Sequence, residues 1–287
     1  MAKILSGTDV SQGIRDQIKK DVDHIIQAGK SRPKLVVILV GEHPASLSYV
    51  TRKQRDAESV GFDSDIVRLP KTVSQDELLQ EVTRCNEDSS IHGILVQLPL
   101  PDHIDKNAVI NAVDPNKDVD GFHPLNVGAF HTSQEALVPC TPKGVLTLLK
   151  ATNTDLVGKH AVVIGRSNIV GKPAALLLLS EHMTVTITHS KTTNIKEMVQ
   201  QADVIVAAVG IASFVKADWV KPGAIVIDVG VNRITLQNGK TKLVGDVDYE
   251  AIEPIASWIT PVPGGVGPMT IASLLENTMI AYKKAQP

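Results

Sequence analysis

Apolar and polar residues alternate along the first 100 residues in a pattern that predicts helices and strands in turn. Helical stretches carry apolar residues every three or four positions, and strands are short β-branched runs that end near glycine or proline. The pattern predicts helices over 8–29, 44–61 and 74–87, and strands over 34–41, 64–69 and 91–98. Such alternation is typical of a parallel sheet with right-handed connections.

A second series of the same kind begins near residue 159. It predicts strands over 160–165, 184–189, 203–208 and 224–229, and helices over 170–181, 194–201 and 269–284. Between the two series, residues 114–139 are rich in Asp, Gly, Pro, Asn and His and lack periodicity, so we expect a loop passage at the rim of a functional site. Thr141-Pro142 predicts the start of a helix, with Thr as its N-cap.

Length and composition favour two α/β domains. The chain has 287 residues, and its apolar fraction of 43% includes few aromatics, so the cores must be built from Val, Ile, Leu and Ala. A net charge of −2 gives no broad reason to expect nucleic acid or a membrane as partner. Cys85 and Cys140 form no metal-ligand cluster, and we expect both to be buried and no metal to be bound. The lack of a signal-peptide pattern predicts a cytoplasmic protein.

Residues 160–173 (HAVVIGRSNIVGKP) are the strongest indication of a dinucleotide site. A buried strand runs into Gly165, a polar loop follows, and Gly171 stands at the head of a helix, which offers free backbone N–H groups to a pyrophosphate. The segment departs from G-x-G-x-x-G, because Ser167 replaces the second glycine and Gly171 comes one place late. An ordinary strand-to-helix turn is the alternative.

The end of the next strand favours NADP over NAD. NAD sites usually place a carboxylate there for the ribose 2′-hydroxyl. Here the strand ends in Thr188-His189-Ser190-Lys191, and Arg166 in the preceding loop can add a bidentate contact to a 2′-phosphate. A solvated turn is the alternative interpretation of Ser190 and Lys191.

Candidate catalytic residues lie in the first domain. Tyr49 and Lys53 are four positions apart and share one face of the predicted helix, where a ring can stack on a flat heterocycle beside an amine. Gln97 ends a buried strand, where open sheets place their ligand sites. Asp120, in a D-G turn, can hold an amide or amino edge of a substrate. The alternatives are a solvated helix face, a loop-capping Gln and an Asx turn.

Residues 261–270 (PVPGGVGPMT) predict a rigid backbone that a flat ligand can approach closely, because they hold three prolines and three glycines. With the other motifs, this segment resembles the bifunctional methylenetetrahydrofolate dehydrogenase/cyclohydrolase family along essentially the whole chain. The motifs that carry the resemblance are Tyr49–Lys53, ILVQLPL at 94–100, Asp118–Gly121 with Pro124-Leu125-Asn126, GRSNIVGKP at 165–173, HSKT at 189–192, DVGVNR at 228–233, GDVD at 245–248 and PGGVGPMT.

The resemblance implies a fold of two α/β domains around a cleft. The first, residues 1–139 joined by a returning helix over 268–287, would bind folate. The second, residues 140–267, would be a Rossmann-like doubly wound parallel sheet that binds NADP. The family is usually homodimeric. Its members oxidise 5,10-methylenetetrahydrofolate to the 5,10-methenyl form with NADP and hydrolyse that product to 10-formyltetrahydrofolate.

The resemblance also implies roles for individual residues. Lys53 would be the catalytic lysine, Gln97 its partner, Tyr49 the ring that stacks on folate, and Asp120 the hydrogen-bond partner of the pterin. Further folate contacts would come from Leu98, Pro99, Pro263, Gly264, Gly265 and Val266. NADP contacts would come from Gly165, Arg166, Ser167, Asn168, Ser190, Val231 and Thr270.

Two other functions remain as alternatives. A monofunctional methylenetetrahydrofolate dehydrogenase would share the fold, but the presence of Lys53 and Gln97 argues against it. A non-catalytic NADP-binding sensor would have no need of Tyr49, Lys53, Gln97 and Asp120 in a separate domain.

Overall fold

The structure is a computed structural model that describes residues 1–42, 44–236 and 239–286, with the backbone alone at positions 44 and 45. Its strands are β1 (Lys3–Ile4), β2 (Lys34–Val40), β3 (Asp63–Leu69), β4 (Gly93–Val96), β5 (His160–Ile164), β6 (Thr184–Thr188), β7 (Val204–Ala207), β8 (Ile225–Asp228), β9 (Asn232–Thr235), β10 (Thr241–Val244) and β11 (Trp258–Ile259). Its α-helices are α1 (Gly7–Gln27), α2 (Pro44–Ser59), α3 (Gln75–Glu87), α4 (Lys106–Ala112), α5 (Pro124–His131), α6 (Cys140–Ala151), α7 (Gly171–Ser180), α8 (Ile195–Val199), α9 (Tyr249–Ile252) and α10 (Val266–Ala285).

The chain divides into two compact units. The three-stranded unit comprises residues 13–140 and 271–287, and the six-stranded unit comprises residues 1–12 and 141–270. The three boundaries fall inside α1, at the first residue of α6, and inside α10. The division differs from the predicted domains in the first twelve residues, because β1 pairs with β11 in the larger sheet. A two-residue strand is too short to show a period in the sequence.

The three-stranded unit is built around β2, the centre of a parallel sheet with the order β3-β2-β4. Alternate residues of β2 enter different cores, because successive strand side chains point to opposite faces. Leu35, Val37 and Leu39 pack with apolar residues of α1, α2 and α10. Val36, Ile38 and Val40 pack with apolar residues of α3 and α4. Burial on both faces explains the unbroken apolar run LVVILV that follows Lys34.

The six-stranded unit has the sheet order β6-β5-β7-β8-β11-β1, with every neighbouring pair parallel. The order reverses at β5, because β6 lies on one side of it and β7 on the other. Ligands of open α/β sheets bind outside the carboxyl ends of the strands at such a switch point. The segments that follow β5 and β7 are therefore the expected walls of a ligand site, and the prediction of a Rossmann-like parallel sheet is confirmed.

The predicted loop passage over 114–139 contains a helix, α5, so that prediction was wrong for 124–131. The helix has ordinary start signals: His123 is the N-cap and accepts a hydrogen bond from the Leu125 N–H at 3.1 Å, and Pro124 is the first residue. Its composition has no apolar stripe, which is why periodicity did not reveal it. Helix α4, capped by Asp105, and the antiparallel pair β9–β10 were also not predicted.

Helix α6 begins at Cys140, so Thr141 lies inside the helix. The prediction that Thr141 is the N-cap was therefore wrong. The Thr141 hydroxyl oxygen lies 3.0 Å from that of Thr270 instead. Cys85 and Cys140 are buried, as predicted, and form no disulfide. Among the described residues, no helix is both long and apolar enough to cross a bilayer, and no group of three or more His, Cys, Asp or Glu could hold a metal ion.

Candidate active site

Helix α2 places Lys53 and Tyr49 side by side, one helical turn apart. The Lys53 side chain is buried, with 6% of its residue surface exposed, whereas Tyr49 is 42% exposed. The Lys53 ammonium nitrogen lies 6.0 Å from the centre of the Tyr49 ring. A buried lysine needs a polar partner, because desolvation of an unpaired amine is costly.

Gln97 is that partner. Lys53 Nζ donates to Gln97 Oε1 at 3.0 Å. The backbone N–H of Gln97 donates to the Ile38 carbonyl, which extends the β2–β4 ladder by one residue and fixes the position of the side chain. The Gln97 Nε2 donates to the Leu98 carbonyl at 2.7 Å, so the amide oxygen is turned toward Lys53. The next peptide bond, Leu98–Pro99, is cis.

Asp120 completes this cluster of four predicted residues in the three-stranded unit. It is partly exposed by surface area, but burial of its carboxyl among protein atoms raises its pKa to about 6. The nearby charge of Lys53 opposes this rise, and Asp118 adds to it. Tyr49, Lys53, Gln97 and Asp120 therefore provide one stacking ring, one amine, one amide and one carboxyl.

The loop that carries Asp120 is held by hydrogen bonds of Asp118 and of Asn277, and the sequence motifs did not include Asn277. Asp118 accepts hydrogen bonds from the His123 N–H at 2.8 Å and from the Asn126 amide at 2.9 Å. Asn277, on α10, donates to the carbonyls of Val119 and Val138 at 2.9 and 2.8 Å. The Asp118 contacts are local, whereas the Asn277 contacts join segments more than 100 positions apart, so no local motif could reveal them.

In the six-stranded unit, the loop after β5 is tightly folded around its two glycines. Gly165 has φ +122°, and a Cβ there would collide with the Ala208 carbonyl, while one at Gly171 would collide with the Gly165 carbonyl. Ser167 Oγ accepts from the N–H groups of Val170 and Gly171 at 3.2 and 3.3 Å and so caps α7. Lys172 Nζ donates to the Asn168 side-chain oxygen.

The other predicted cofactor residues lie near the carboxyl ends of strands, apart from Thr270. Arg166, Ser167 and Asn168 are exposed after β5, and Ser190 is exposed after the neighbouring strand β6. Val231 follows β8 and is 54% exposed. Thr270 lies in the first turns of α10 and contacts Thr141. Arg166 and Ser190 are both exposed and lie at the same edge of the sheet, because they follow the neighbouring parallel strands β5 and β6.

A pair of buried carboxylates, Asp228 and Asp246, holds the loops at this edge. Asp246 accepts from the N–H groups of Val209 and Gly210, just after β7, at 2.6 and 2.8 Å, and from the Asn232 amide at 2.9 Å. Asp228 accepts from the N–H groups of Gly230, Asp246 and Val247. Burial raises the pKa of Asp228 to about 6; its N–H donors oppose the rise, and the Asp246 charge adds to it.

The glycine-rich segment belongs to the six-stranded unit. The Val262–Pro263 peptide is cis, and Gly264 has φ +103°. The Gly264 carbonyl accepts from the Thr8 N–H at 3.1 Å. A Cβ at Gly265 would lie 2.5 Å from the Pro261 carbonyl oxygen, so a side chain has no room there. Val266 begins α10.

Two family models match the chain. Residues 5–120 match the tetrahydrofolate dehydrogenase/cyclohydrolase catalytic domain, and residues 139–286 match the NAD(P)-binding domain of the same family. The chain belongs to the tetrahydrofolate dehydrogenase/cyclohydrolase family. The family that the sequence motifs indicated is thereby confirmed.

Individual members of the tetrahydrofolate dehydrogenase/cyclohydrolase family are similar to this chain over nearly its full length. The bifunctional protein FolD of Oceanobacillus iheyensis is 52% identical over 283 residues, covering 99% of this chain and 98% of that protein. The FolD crystal structure from Campylobacter jejuni has a TM-score of 0.94 at 46% identity, with 99% and 100% coverage. The Trypanosoma brucei FolD structure, complexed with NADP cofactor and inhibitor, has a TM-score of 0.94 at 40% identity, with 99% and 98% coverage.

The predicted residues of this tetrahydrofolate dehydrogenase/cyclohydrolase fall into three groups in the structure. Tyr49, Lys53, Gln97 and Asp120, with Leu98 and Pro99, lie together in the three-stranded unit. Gly165, Arg166, Ser167, Asn168, Ser190 and Val231 follow strands of the six-stranded unit. Pro263, Gly264, Gly265, Val266 and Thr270 also belong to the six-stranded unit, around the start of α10.

Proposed function

We propose that this protein oxidises 5,10-methylenetetrahydrofolate with NADP and hydrolyses the methenyl product to 10-formyltetrahydrofolate. It is a dehydrogenase and a cyclohydrolase of one-carbon metabolism. The observation that carries the proposal is the 3.0 Å hydrogen bond between Lys53 and Gln97 beside the Tyr49 ring, in a chain that belongs to this family. A monofunctional dehydrogenase would have no use for a buried amine held in this way.

Folate binding is assigned first to the three-stranded unit. The exposed Tyr49 ring offers a flat face for stacking, and the carboxylate of Asp120 accepts from N–H groups at the edge of the pterin. Leu98 and Pro99 continue the same surface from Gln97. On the family resemblance alone, we also assign folate contacts to Pro263, Gly264, Gly265 and Val266.

NADP supplies the hydride acceptor when it is bound. The tight loop at Gly165 and Gly171 fits a pyrophosphate, since it leaves no room for side chains where backbone N–H groups must come close. Arg166 and Ser190 are assigned to the 2′-phosphate, and Ser167, Asn168, Val231 and Thr270 to the rest of the cofactor. The protein's task in oxidation is alignment, because the folate nitrogens themselves stabilise the cation that forms.

Hydrolysis needs proton transfer, and we assign it to Lys53. Water adds to the methenyl carbon and loses one proton, which leaves a hydroxyl on that carbon. The bond from the carbon to one ring nitrogen then breaks as that nitrogen takes up a proton, and the hydroxyl gives up its proton as the formyl C=O forms. Lys53 is buried and fixed by the Gln97 amide oxygen, so it can hold a proton at one position during these steps. Gln97 is a positioning residue in this scheme.

A direct assay tests the proposed function. Purified protein given 5,10-methylenetetrahydrofolate and NADP should form NADPH and then 10-formyltetrahydrofolate, both followed by absorbance. NADPH formation with accumulation of the methenyl compound would instead identify a monofunctional dehydrogenase. Binding of NADP without any turnover would identify a sensor.

The raised pKa of Asp120 predicts a pH dependence of substrate capture. Ionised Asp120 accepts hydrogen bonds at both oxygens, and protonation removes part of that capacity. Since its pKa is about 6, kcat/KM for the folate should fall as the pH drops below that value, approaching about tenfold per pH unit. The Asp120→Asn variant should have a lower kcat/KM without this inflection. Asp228 has a similar pKa. An inflection that is unchanged in Asp120→Asn would therefore have to be assigned to a group other than Asp120.

The exposed Arg166 predicts a cofactor preference. Removing a charge-assisted contact to the 2′-phosphate costs about 1.5–3 kcal/mol, so Arg166→Ala should weaken NADP binding by about 10- to 100-fold. NAD lacks the 2′-phosphate and serves as the internal control, with a change of less than about twofold. Dissociation constants for both cofactors, measured on the same preparation, provide the test. Equal losses for NADP and NAD would place the 2′-phosphate away from Arg166.

The family resemblance also supports finer proposals about the protein's setting. We propose a cytoplasmic homodimer with a folate-binding domain over 1–139, joined by residues 268–287, and an NADP-binding domain over 140–267. Its 10-formyl and methylene folates would serve purine, methionine and histidine biosynthesis. No nucleic acid or membrane partner is proposed, consistent with the net charge of −2.

A further inference from the structure

Two side chains tie the C-terminus of α3 to the loop that leads to Asp120. Lys117 lies three positions before Asp120, and its ammonium group donates to three backbone carbonyls at the end of α3. The acceptors are Cys85 at 3.2 Å, Asn86 at 2.6 Å and Asp88 at 2.8 Å. The last carbonyls of a helix have no partner within the helix, and the helix dipole favours a cation beside them. Lys117 therefore caps α3 from a segment 29 to 32 positions away.

The Asn86 side chain forms the second tie. Its Nδ2 donates to the Ala112 carbonyl at 2.7 Å, and its Oδ1 accepts from the Asp114 N–H at 2.9 Å. Ala112 is the last residue of α4, so Asn86 holds the chain where it leaves α4 for the Asp120 loop. Both polar ends of the amide are used, and the loop cannot slide along α3 without breaking one of these hydrogen bonds.

The backbone of Lys117 connects the same loop with strand β4. Its carbonyl accepts from the Ile94 N–H at 2.8 Å, and the next residue, Asp118, forms a parallel bridge with Ile94. The Gly121 N–H donates to the Asp118 carbonyl at 3.0 Å, which closes the turn that contains Asp120. A displacement of Lys117 is therefore transmitted to the Asp120 carboxyl through a few backbone bonds and hydrogen bonds.

The Lys117 ammonium group is partly withdrawn from water at this position. Burial lowers the pKa of Lys117, and the negative charges of Asp114 and Asp88 oppose the decrease. An uncharged side chain here would leave the three carbonyl oxygens without these hydrogen bonds, and unsatisfied buried acceptors are costly. Water can replace the ammonium group only if the loop moves away from α3, and the Asp120 carboxyl in that loop would move with it.

We propose that Lys117 and Asn86 are positioning residues for the folate reaction, because they fix the loop that places the Asp120 carboxyl near Lys53. The proposal rests on the proposed function, in which Asp120 contacts the pterin. Both residues act through the backbone of the loop and leave the hydrogen bond between Lys53 and Gln97 in place. A carboxyl that is already fixed loses less freedom when the substrate binds, so these contacts increase the affinity for folate rather than the rate of the steps at Lys53.

Steady-state kinetics of Lys117→Met test this proposal. Methionine keeps an unbranched side chain but cannot donate to the three carbonyls. We expect the KM for 5,10-methylenetetrahydrofolate to rise about 5- to 20-fold, because hydrogen bonds to the displaced carboxylate are partly lost. The kcat for NADP reduction should stay within about threefold of the wild-type value, since the loss is one of binding. The NADP dissociation constant should be unchanged, because the assigned cofactor residues belong to the other unit.

Lys283→Met is the matched control for the loss of a lysine. Lys283 belongs to the same unit, its side chain is exposed, and it donates to Asp21 at 3.3 Å. An exposed ion pair of this kind contributes little, so the KM for the folate should stay within about twofold of the wild-type value.

A double-mutant cycle separates positioning of Asp120 from a general loss of structure. In Asp120→Ala no carboxylate remains to be positioned, so adding Lys117→Met should raise the KM by less than about twofold further. An equal rise of the KM with and without the Asp120 carboxylate would overturn the proposal. An unchanged KM in Lys117→Met with Asp120 intact would overturn it as well.

Asn86→Ala tests the same contacts if Lys117→Met does not fold. Its KM should rise about 2- to 5-fold, again only when the Asp120 carboxylate is present, and an unchanged KM would contradict the proposal. Turnover by the wild type measures the proposed function separately. If turnover is absent, calorimetry with 5-formyltetrahydrofolate compares folate affinity among the same variants. Equal affinity in all of them would refute the positioning role alone, whereas a wild type that neither turns over nor binds this folate would refute the proposed function and the positioning role together.

Discussion

Replacing Lys53 with methionine should reduce cyclohydrolase activity by about 100- to 10,000-fold, the usual contribution of a positioned proton-transfer group. Methionine keeps an unbranched chain of similar length in the buried space beside Gln97 but cannot hold a proton. The rate of methenyltetrahydrofolate disappearance, corrected for its spontaneous hydrolysis, measures the loss. Oxidation should fall less, because hydride transfer requires alignment and no proton from the protein.

Two comparisons keep this expectation specific. Arg52→Met removes a neighbouring cation of the same helix whose side chain is 49% exposed and pairs with Asp56 at 3.7 Å, and both activities should remain within about twofold of wild type. Folate binding to Lys53→Met, followed by fluorescence, should remain measurable, since Tyr49 and Asp120 are intact. Full cyclohydrolase activity in Lys53→Met would remove this residue from the mechanism and leave the Lys53–Gln97 contact as a structural one.

The order of helices and strands was predictable from the sequence wherever an element buries one face or both faces in a core. Residues 35–40 (LVVILV) have both faces in a core, and their fully apolar composition indicates that directly. The i, i+4 spacing of Tyr49 and Lys53 also survives in the structure, because α2 is regular there. By contrast, α5 has no apolar stripe, and β1 has two residues, so neither leaves a periodic pattern.

The contacts that orient the site could not be predicted from local spacing in the sequence, for a different reason. Gln97 and Lys53 are 44 positions apart, and a strand and a helix must both form before the amide can meet the amine. Asp246 is similarly remote from the Val209 and Gly210 N–H groups that it binds. Side chains whose partners are distant backbone N–H groups carry no local spacing signal.

Removing the carboxylate of Asp246 should strongly lower the free energy of unfolding of the six-stranded unit. Asp246→Ala leaves the N–H groups of Val209 and Gly210 and the Asn232 amide without their acceptor in a fully buried place. Each unsatisfied buried group costs about 1–3 kcal/mol, so we expect a loss of about 3–6 kcal/mol in the free energy of unfolding. Chemical denaturation measures this loss, which is a large share of the roughly 5–15 kcal/mol that stabilises a typical domain.

Asp246→Asn is the matched variant, and it should cost only about 1 kcal/mol. Its amide oxygen can still accept from Val209 and Gly210, and a rotated Asn232 amide can accept from its NH₂ group. The NADP dissociation constant should follow the same order, because Val209 and Gly210 lie just after β7, which neighbours β5 at the sheet's switch point. Asp248→Ala, which removes an ion pair with Lys216 at 3.4 Å, should cost about 0.5 kcal/mol and leave NADP binding unchanged. Equal losses in Asp246→Ala and Asp246→Asn would show that the charge, rather than the hydrogen-bonded oxygens, holds these loops in place.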